Sequence, residues 1–141
     1  MVRKLLAKDR GDFLSLLKEN FGRLDESEFD KVIQDPNYIC FVYEEEGKVV
    51  SFITLLLVDE LGEIIEVVTD KEYRRKGYAL KLIEYALDYI KKMQKIGMHL
   101  EVRKSNLPAI SLYNKLGFRE IYIRKNYYGG GEDGIVMQLR F

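Results

Sequence analysis

Arg74-Arg75-Lys76-Gly77-Tyr78-Ala79 is the first group of residues whose types and spacing suggest chemistry. It follows an apolar stretch ending at Thr69 and opens the longest helical pattern in the chain. A helix start exposes unpaired backbone N–H groups and the positive end of a dipole worth roughly half a charge. Gly77 leaves out the side chain that would block an anion's approach to those amides, and cations precede it. The arrangement fits a pyrophosphate cradle. The plainer alternative is a basic surface turn containing a glycine, and the pattern alone recurs by chance in about one chain in six of this size. Neither G-x-x-x-x-G-K-[ST] nor G-x-G-x-x-G is present, which excludes the common nucleotide-binding loops.

Acid–base chemistry has few sources here. One Cys and one His exclude an internal disulfide and a Cys/His zinc site, and no metal is expected. His99 lies in the alternating run Met98-His99-Leu100-Glu101-Val102 and reads as an ordinary strand position. Cys40, within Tyr38-Ile39-Cys40-Phe41-Val42, reads as a small buried hydrophobe. Proton transfer therefore falls to Glu, Asp, Tyr or Lys. Glu66 stands out, because a carboxylate inside Ile64-Ile65-Glu66-Val67-Val68 is expensive to bury unless it is used or paired.

The elements that must position these groups follow from length and patterning. A chain of 141 residues, 47% hydrophobic with ten Tyr and seven Phe, is expected to form one α/β domain over residues 1–141. Its 23 basic and 23 acidic residues cancel, so nothing marks a nucleic-acid or membrane-surface protein. No apolar run reaches a membrane span and no leader pattern opens the chain, so a cytoplasmic protein is expected. Periodicity predicts strands over 2–6, 38–43, 48–58, 63–69, 98–102, 118–125 and 135–140. Helices are predicted over 9–20, with Asp9 near the cap, and over 26–34, 77–95 and 107–116. The third is built on Leu80, Ile83, Leu87, Ile90 and Met93, with Gly97 as a stop signal. Antiparallel strands come first and a strand–helix–strand crossover follows, which gives a mixed sheet with one parallel pair.

A second motif is longer. In Leu100-Glu101-Val102-Arg103-Lys104-Ser105-Asn106-Leu107-Pro108-Ala109-Ile110-Ser111-Leu112-Tyr113-Asn114-Lys115-Leu116-Gly117-Phe118, Asn106 suits a helix cap, Pro108 the first turn and Gly117 a stop. Together with Arg74, Gly77 and Ala79, its order L-E-V-x-x-x-N-x-x-A-I-x-L-Y-x-x-L-G-F resembles the GNAT superfamily of acyl-CoA-dependent N-acyltransferases. Arg124-Lys125-Asn126-Tyr127-Tyr128, followed by Glu132-Asp133-Gly134, is similar to the ribosomal-protein-alanine (RimI-type) branch, whose members acetylate protein N-termini. The resemblance runs from about Glu63 to Phe141; the first 60 or so residues match only in pattern. Lys71, Gly129 and Gly134 depart from the Pro, Pro and Ala common in relatives, and the Gly129-Gly130-Gly131 run implies a looser loop over the acceptor.

The resemblance implies a GNAT fold, a mixed sheet whose parallel pair splays, flanked by helices. It implies acetyl-CoA as co-substrate, bound by Val67, Val68 and Thr69 on the pantetheine arm, by Arg74, Arg75, Lys76, Gly77, Tyr78 and Ala79 at the pyrophosphate, and by Asn106. It assigns Glu101 as general base and Tyr113 as the acid that protonates the departing thiolate, with Glu66 as the rival base or a substrate contact. Tyr127 and Tyr128 would hold the acceptor or merely pack; Glu132 and Asp133 would attract its amine or merely solvate a loop. The acceptor expected is a protein or peptide N-terminus. Its α-amine is roughly 10–17% neutral at pH 7, against about 0.04% for lysine, so one carboxylate suffices. The alternatives are a small-amine acetyltransferase and a non-catalytic acyl-CoA-binding module. A monomer or weak homodimer is expected.

Overall fold

The apolar runs from Tyr38 onward form the centre of a sheet rather than its margin. In β2 (Tyr38–Glu45) and β3 (Lys48–Leu56) side chains of both parities are buried, so both sheet faces are covered. The structure, a computed structural model, describes residues 1–141. The other strands are β1 (Val2–Lys4), β4 (Leu61–Thr69), β5 (Gly97–Arg103), β6 (Arg119–Arg124) and β7 (Gly134–Arg140). The helices are α1 (Arg10–Phe21), α2 (Glu26–Gln34), α3 (Tyr78–Lys92) and α4 (Leu107–Lys115). All seven strands form one sheet in the order β1-β2-β3-β4-β5-β7-β6, antiparallel except for β4 and β5. No helix is long and apolar enough to cross a membrane.

The sheet separates two cores. On one face Ile53, Leu55, Ile64, Leu100 and Val102 pack with α3 and with Tyr113 of α4. On the other, Cys40, Val42, Phe52 and Val68 pack with α1 and α2. Phe13 of α1 joins that second layer, stacking on Phe52 at 4.4 Å and meeting Phe29 edge-on at 5.3 Å. This alternation assigns each functional side chain to a face.

Two expectations need correction and a third needs refinement. The buried stripe of α3 is Leu82, Ile83, Ala86 and Ile90; Leu80 and Leu87 are only half-buried, and Met93, just past the end of the helix, is exposed. That helix stops at Lys92, and Gln94 takes the left-handed turn (φ 64°). Gly97 instead belongs to β5, where a Cβ would collide with the Leu139 carbonyl oxygen of β7. Asp9 does stand at the N-cap of α1, as expected, but its side chain makes no cap bond there; it accepts from the Leu6 amide at 2.8 Å and pairs with Arg3 at 2.8 Å.

The feature that makes a site is where the parallel pair ends. β4 and β5 are in register only from Leu61 with Gly97 to Ile64 with Leu100. Between Ile64 and Glu66 the pairing with β3 shifts by one residue, leaving Ile65 as the extra residue of a bulge. A bulge bends its strand, and here it carries β4 away from β5. From Glu101 to Arg103, β5 pairs with β7 alone.

Candidate active site

The splay opens a cleft of about 440 Å³, whose walls include Glu66, Val67, Ala79, Glu101, Asn106 and Tyr113. A larger hollow of about 620 Å³ lies between the N-terminal segment, α2 and the end of α3. Its walls are mainly apolar and contain none of the expected acid–base residues.

At the cleft's mouth α3 begins with Gly77 in the left-handed conformation (φ 82°). The first helical bond runs from the Lys81 amide to the Gly77 carbonyl at 3.0 Å, so the amides of Tyr78, Ala79 and Leu80 have no acceptor in the helix. No atom lies within 4 Å of where a Gly77 Cβ would stand. The mouth is open, and its donors are free for an anion. Arg75 and Lys76 are exposed beside it, Arg75 itself at φ 65°.

Arg74 behaves differently from its neighbours. Its Nη2 donates to Asn20 Oδ1 at 2.8 Å and its Nε to the Thr69 carbonyl at 3.3 Å, so it braces the turn against α1 instead of reaching the mouth. The Tyr78 ring packs on Tyr43 at 4.5 Å, leaving only its amide to the cradle. The Lys71 amide faces the Glu19 carboxylate at 3.4 Å, a bond that a proline at this position could not make.

Backbone alternation sorts the next three residues. The Asp70 amide donates to Val50 at 2.8 Å, so by period two Val68 is bonded to β3 while the amide and carbonyl of Val67 face the splay. The Thr69 carbonyl is already taken by Arg74 and by Asn20 Nδ2 at 3.4 Å. Val67 is therefore the residue whose whole backbone edge is open. Asn106 caps α4 by accepting from the Ala109 amide at 3.3 Å, which leaves its NH₂ group at the cleft wall.

Acid and carboxylates approach the opening from opposite faces. Leu100 and Val102 face α3, so Glu101 between them faces the other way. Glu101 Oε1 accepts from Arg124 Nη1 at 2.7 Å, and its Oε2 is buried without a partner. Tyr113 lies on the α3 side, 8% exposed, with its phenol pushed up to about 12 by burial. A phenol held that high keeps its proton and can donate it.

Glu66 stands directly opposite Thr54 and faces α2. Its Oε1 accepts from Arg23 at 2.6 Å, and Oε2 is buried without a partner. Burial first, and the nearby Glu28 second, push this carboxyl up to about 8, against the pull of Arg23. The folded chain thus holds a proton that the unfolded chain releases near 4.5, so stability falls as pH rises from about 4.5 to 8. Glu66→Gln removes that loss. The variant's Tm relative to wild type should be higher at about pH 8.5 than at about pH 5 in thermal melts, and an equal difference at both would contradict it.

The β6–β7 loop closes the side facing away from α3. Glu63, His99, Glu101, Tyr127 and Tyr128 border a groove of about 270 Å³ there, and His99 Nε2 lies 3.2 Å from Glu63. Arg124 lies over the Tyr127 ring at 4.1 Å and Arg103 over Tyr128 at 4.2 Å. The triple glycine folds into a hydrogen-bonded turn. Gly129, Gly130 and Gly131 all take left-handed angles (φ 80°, 59° and 83°), and Asn126 Oδ1 accepts from the Gly131 amide at 2.6 Å. Glu132 and Asp133 are likewise occupied: Glu132 accepts from the Ser105 hydroxyl at 2.5 Å, Asp133 from the Asn126 amide at 2.8 Å.

Three residues at the site carried no role in the sequence reading. Arg23 meets Glu66 across a 43-residue separation and also holds Glu28, a pairing that no local spacing reveals. Arg124 lay within a quoted motif, but only the sheet shows that it grips Glu101.

Comparison with known proteins accords with this geometry. Residues 6–118 match the family model described as the acetyltransferase (GNAT) family. The [ribosomal protein bS18]-alanine N-acetyltransferase of Escherichia coli K12 is 39% identical over 110 residues, 75% of this chain and 74% of that protein. The crystal structure of the ribosomal-protein-S18-alanine N-acetyltransferase from Escherichia coli superposes with a TM-score of 0.91 and 30% identity, covering 99% of this chain and 92% of that one. A putative streptothricin acetyltransferase from Bacillus anthracis, solved with acetyl coenzyme A, gives 0.73 and 26% over 80% and 68% of the two chains. The chain belongs to the acetyltransferase (GNAT) family.

Proposed function

We propose that the protein transfers acetyl from acetyl-CoA to the N-terminal α-amine of a protein. The observation that carries this reading is the parallel pair that splays beside an open helix N-terminus, with a phenol on one face and carboxylates on the other. Acetyl-CoA supplies an activated thioester acyl group. The free amides of Tyr78, Ala79 and Leu80, with Arg75 and Lys76, suit its diphosphate, and the Val67 backbone edge suits its amide-bearing arm.

The acceptor approaches from the other face, between Tyr127, Tyr128 and the α1–α2 connection. Glu101 takes the proton the amine must lose, through Oε2, while Arg124 fixes Oε1. Tyr113, protonated in its apolar setting, returns a proton to the leaving sulfur. The similarity to an alanine N-terminal acetyltransferase supports a peptide acceptor.

A panel of tetrapeptides beginning with Ala, Ser or Met, run beside polyamines, an aminoglycoside and free amino acids, tests the proposal. Peptides should exceed small amines in kcat/KM by at least about tenfold. Preference for a small amine, or CoA binding without turnover on any amine, would overturn it.

A further inference from the structure

Past Ile65 and Glu66 the cleft continues into a polar pocket of about 310 Å³ between β3, β4 and the start of α2. There Arg23 Nη2 lies 2.8 Å from Glu28 Oε2 and 2.6 Å from Glu66 Oε1. One nitrogen of the chain thus bridges two carboxylates. Beside it, two buried oxygens have no partner: Glu66 Oε2 and Thr54 Oγ1, the latter on a side chain 1% exposed. Thr54 faces Glu66 directly across β3 and β4 and lines the same pocket. Buried polar atoms without partners are costly, and two on one pocket call for a polar ligand.

A primary ammonium fits this set, with a compact charge for the carboxylates and three N–H groups for them and the hydroxyl. Neighbouring charges are otherwise engaged. Lys31 lies over the Tyr38 ring at 4.9 Å, and Asp25 accepts from the Ser27 hydroxyl at 2.5 Å and caps α2. Arg23 can leave without disturbing either core. It sits on the short connection that starts at Gly22 (φ 68°), its side chain is 41% exposed, and its guanidinium rests on the exposed Phe21 ring at 4.7 Å.

Resting on the acetyltransferase reading above, we infer that Glu28 and Glu66 form a subsite for a primary ammonium of the acceptor, which Arg23 occupies in the free protein and vacates when the acceptor binds. The ammonium is either the acceptor's α-amine or a lysine side chain close behind it. Burial and Glu28 together oppose the charge on Glu66, and an incoming cation relieves both effects.

Calorimetric titration of the full chain with two unacetylated tetrapeptides, alike except for Lys or norleucine at the second position, reads the subsite without turnover. Glu28→Gln should weaken binding about tenfold. Loss with both peptides identifies the α-ammonium, and loss with the lysine peptide alone identifies the side chain. Unchanged affinity for both overturns the subsite. Arg23→Gln should tighten binding severalfold, and weaker or equal binding overturns the displacement. Glu26→Gln, on the same helix and 3.8 Å from Arg10, is the charge control. A loss there equal to that of Glu28→Gln also overturns the subsite. Binding that follows these charges while no peptide is acetylated would count against the acetyltransferase reading alone.

Discussion

Glu101→Gln is expected to lower kcat about 10²- to 10⁴-fold while leaving KM for acetyl-CoA unchanged. The replacement is nearly isosteric, and its amide oxygen can still accept from Arg124, as Glu101 Oε1 does at 2.7 Å. What changes is the second atom. A buried, unpartnered oxygen becomes an NH₂ group that cannot take a proton from the acceptor. Nothing at the mouth of α3 is touched, so donor binding should be spared. Glu66→Gln should behave differently, raising KM for the acceptor with little loss of kcat. Glu66 faces α2 and its Oε1 is held by Arg23 at 2.6 Å, which places it to bind the acceptor and not to take its proton. Steady-state kinetics on both variants decides the assignment. A collapse of kcat in Glu66→Gln with Glu101→Gln nearly intact would exchange the two roles.

The second large effect concerns the donor alone. Gly77→Asp should weaken CoA binding about 30- to 100-fold, because one added charge about 5 Å from a diphosphate repels it by about 2–3 kcal/mol at an intermediate dielectric. The fold should survive. A Cβ at Gly77 meets nothing within 4 Å, Asp tolerates left-handed angles better than most residues, and a carboxylate at a helix start is favourable to the helix itself. Gly77→Ala is the control for backbone strain at φ 82° and should cost less than about fivefold. Calorimetry with CoA separates the cases: equal losses for Asp and Ala would mean that strain, and not charge, governs the site.

Much of this architecture was legible from residue patterning, for identifiable reasons. The crossover was visible because α3 and the flanking strands carry long, regular apolar periods, and all three glycines of the β6–β7 loop mark a real turn. Gly97 was misread because a glycine after a basic helix end looks like a stop, whereas its cause is a carbonyl on β7, 42 residues away. Arg74 matched a motif position, yet its guanidinium is held by Asn20 on a helix the motif does not include. Glu66 declared itself as a carboxylate in an apolar strand; its partners Arg23 and Glu28 did not, since exposed charges at the ends of short helices are common and only the bulge at Ile65 brings these together. The loop acids Glu132 and Asp133 were open to two readings, and local bonding to Ser105 and Asn126 decided between them.

A crystal structure of this chain with acetyl-CoA tests the central claim most directly. Diphosphate oxygens within hydrogen-bonding distance of the amides at Tyr78, Ala79 and Leu80, with the thioester lodged in the splay between Glu101 and Tyr113, is the predicted result. A diphosphate bound away from the start of α3, or a thioester on one face of the sheet with no path to Glu101, would contradict it.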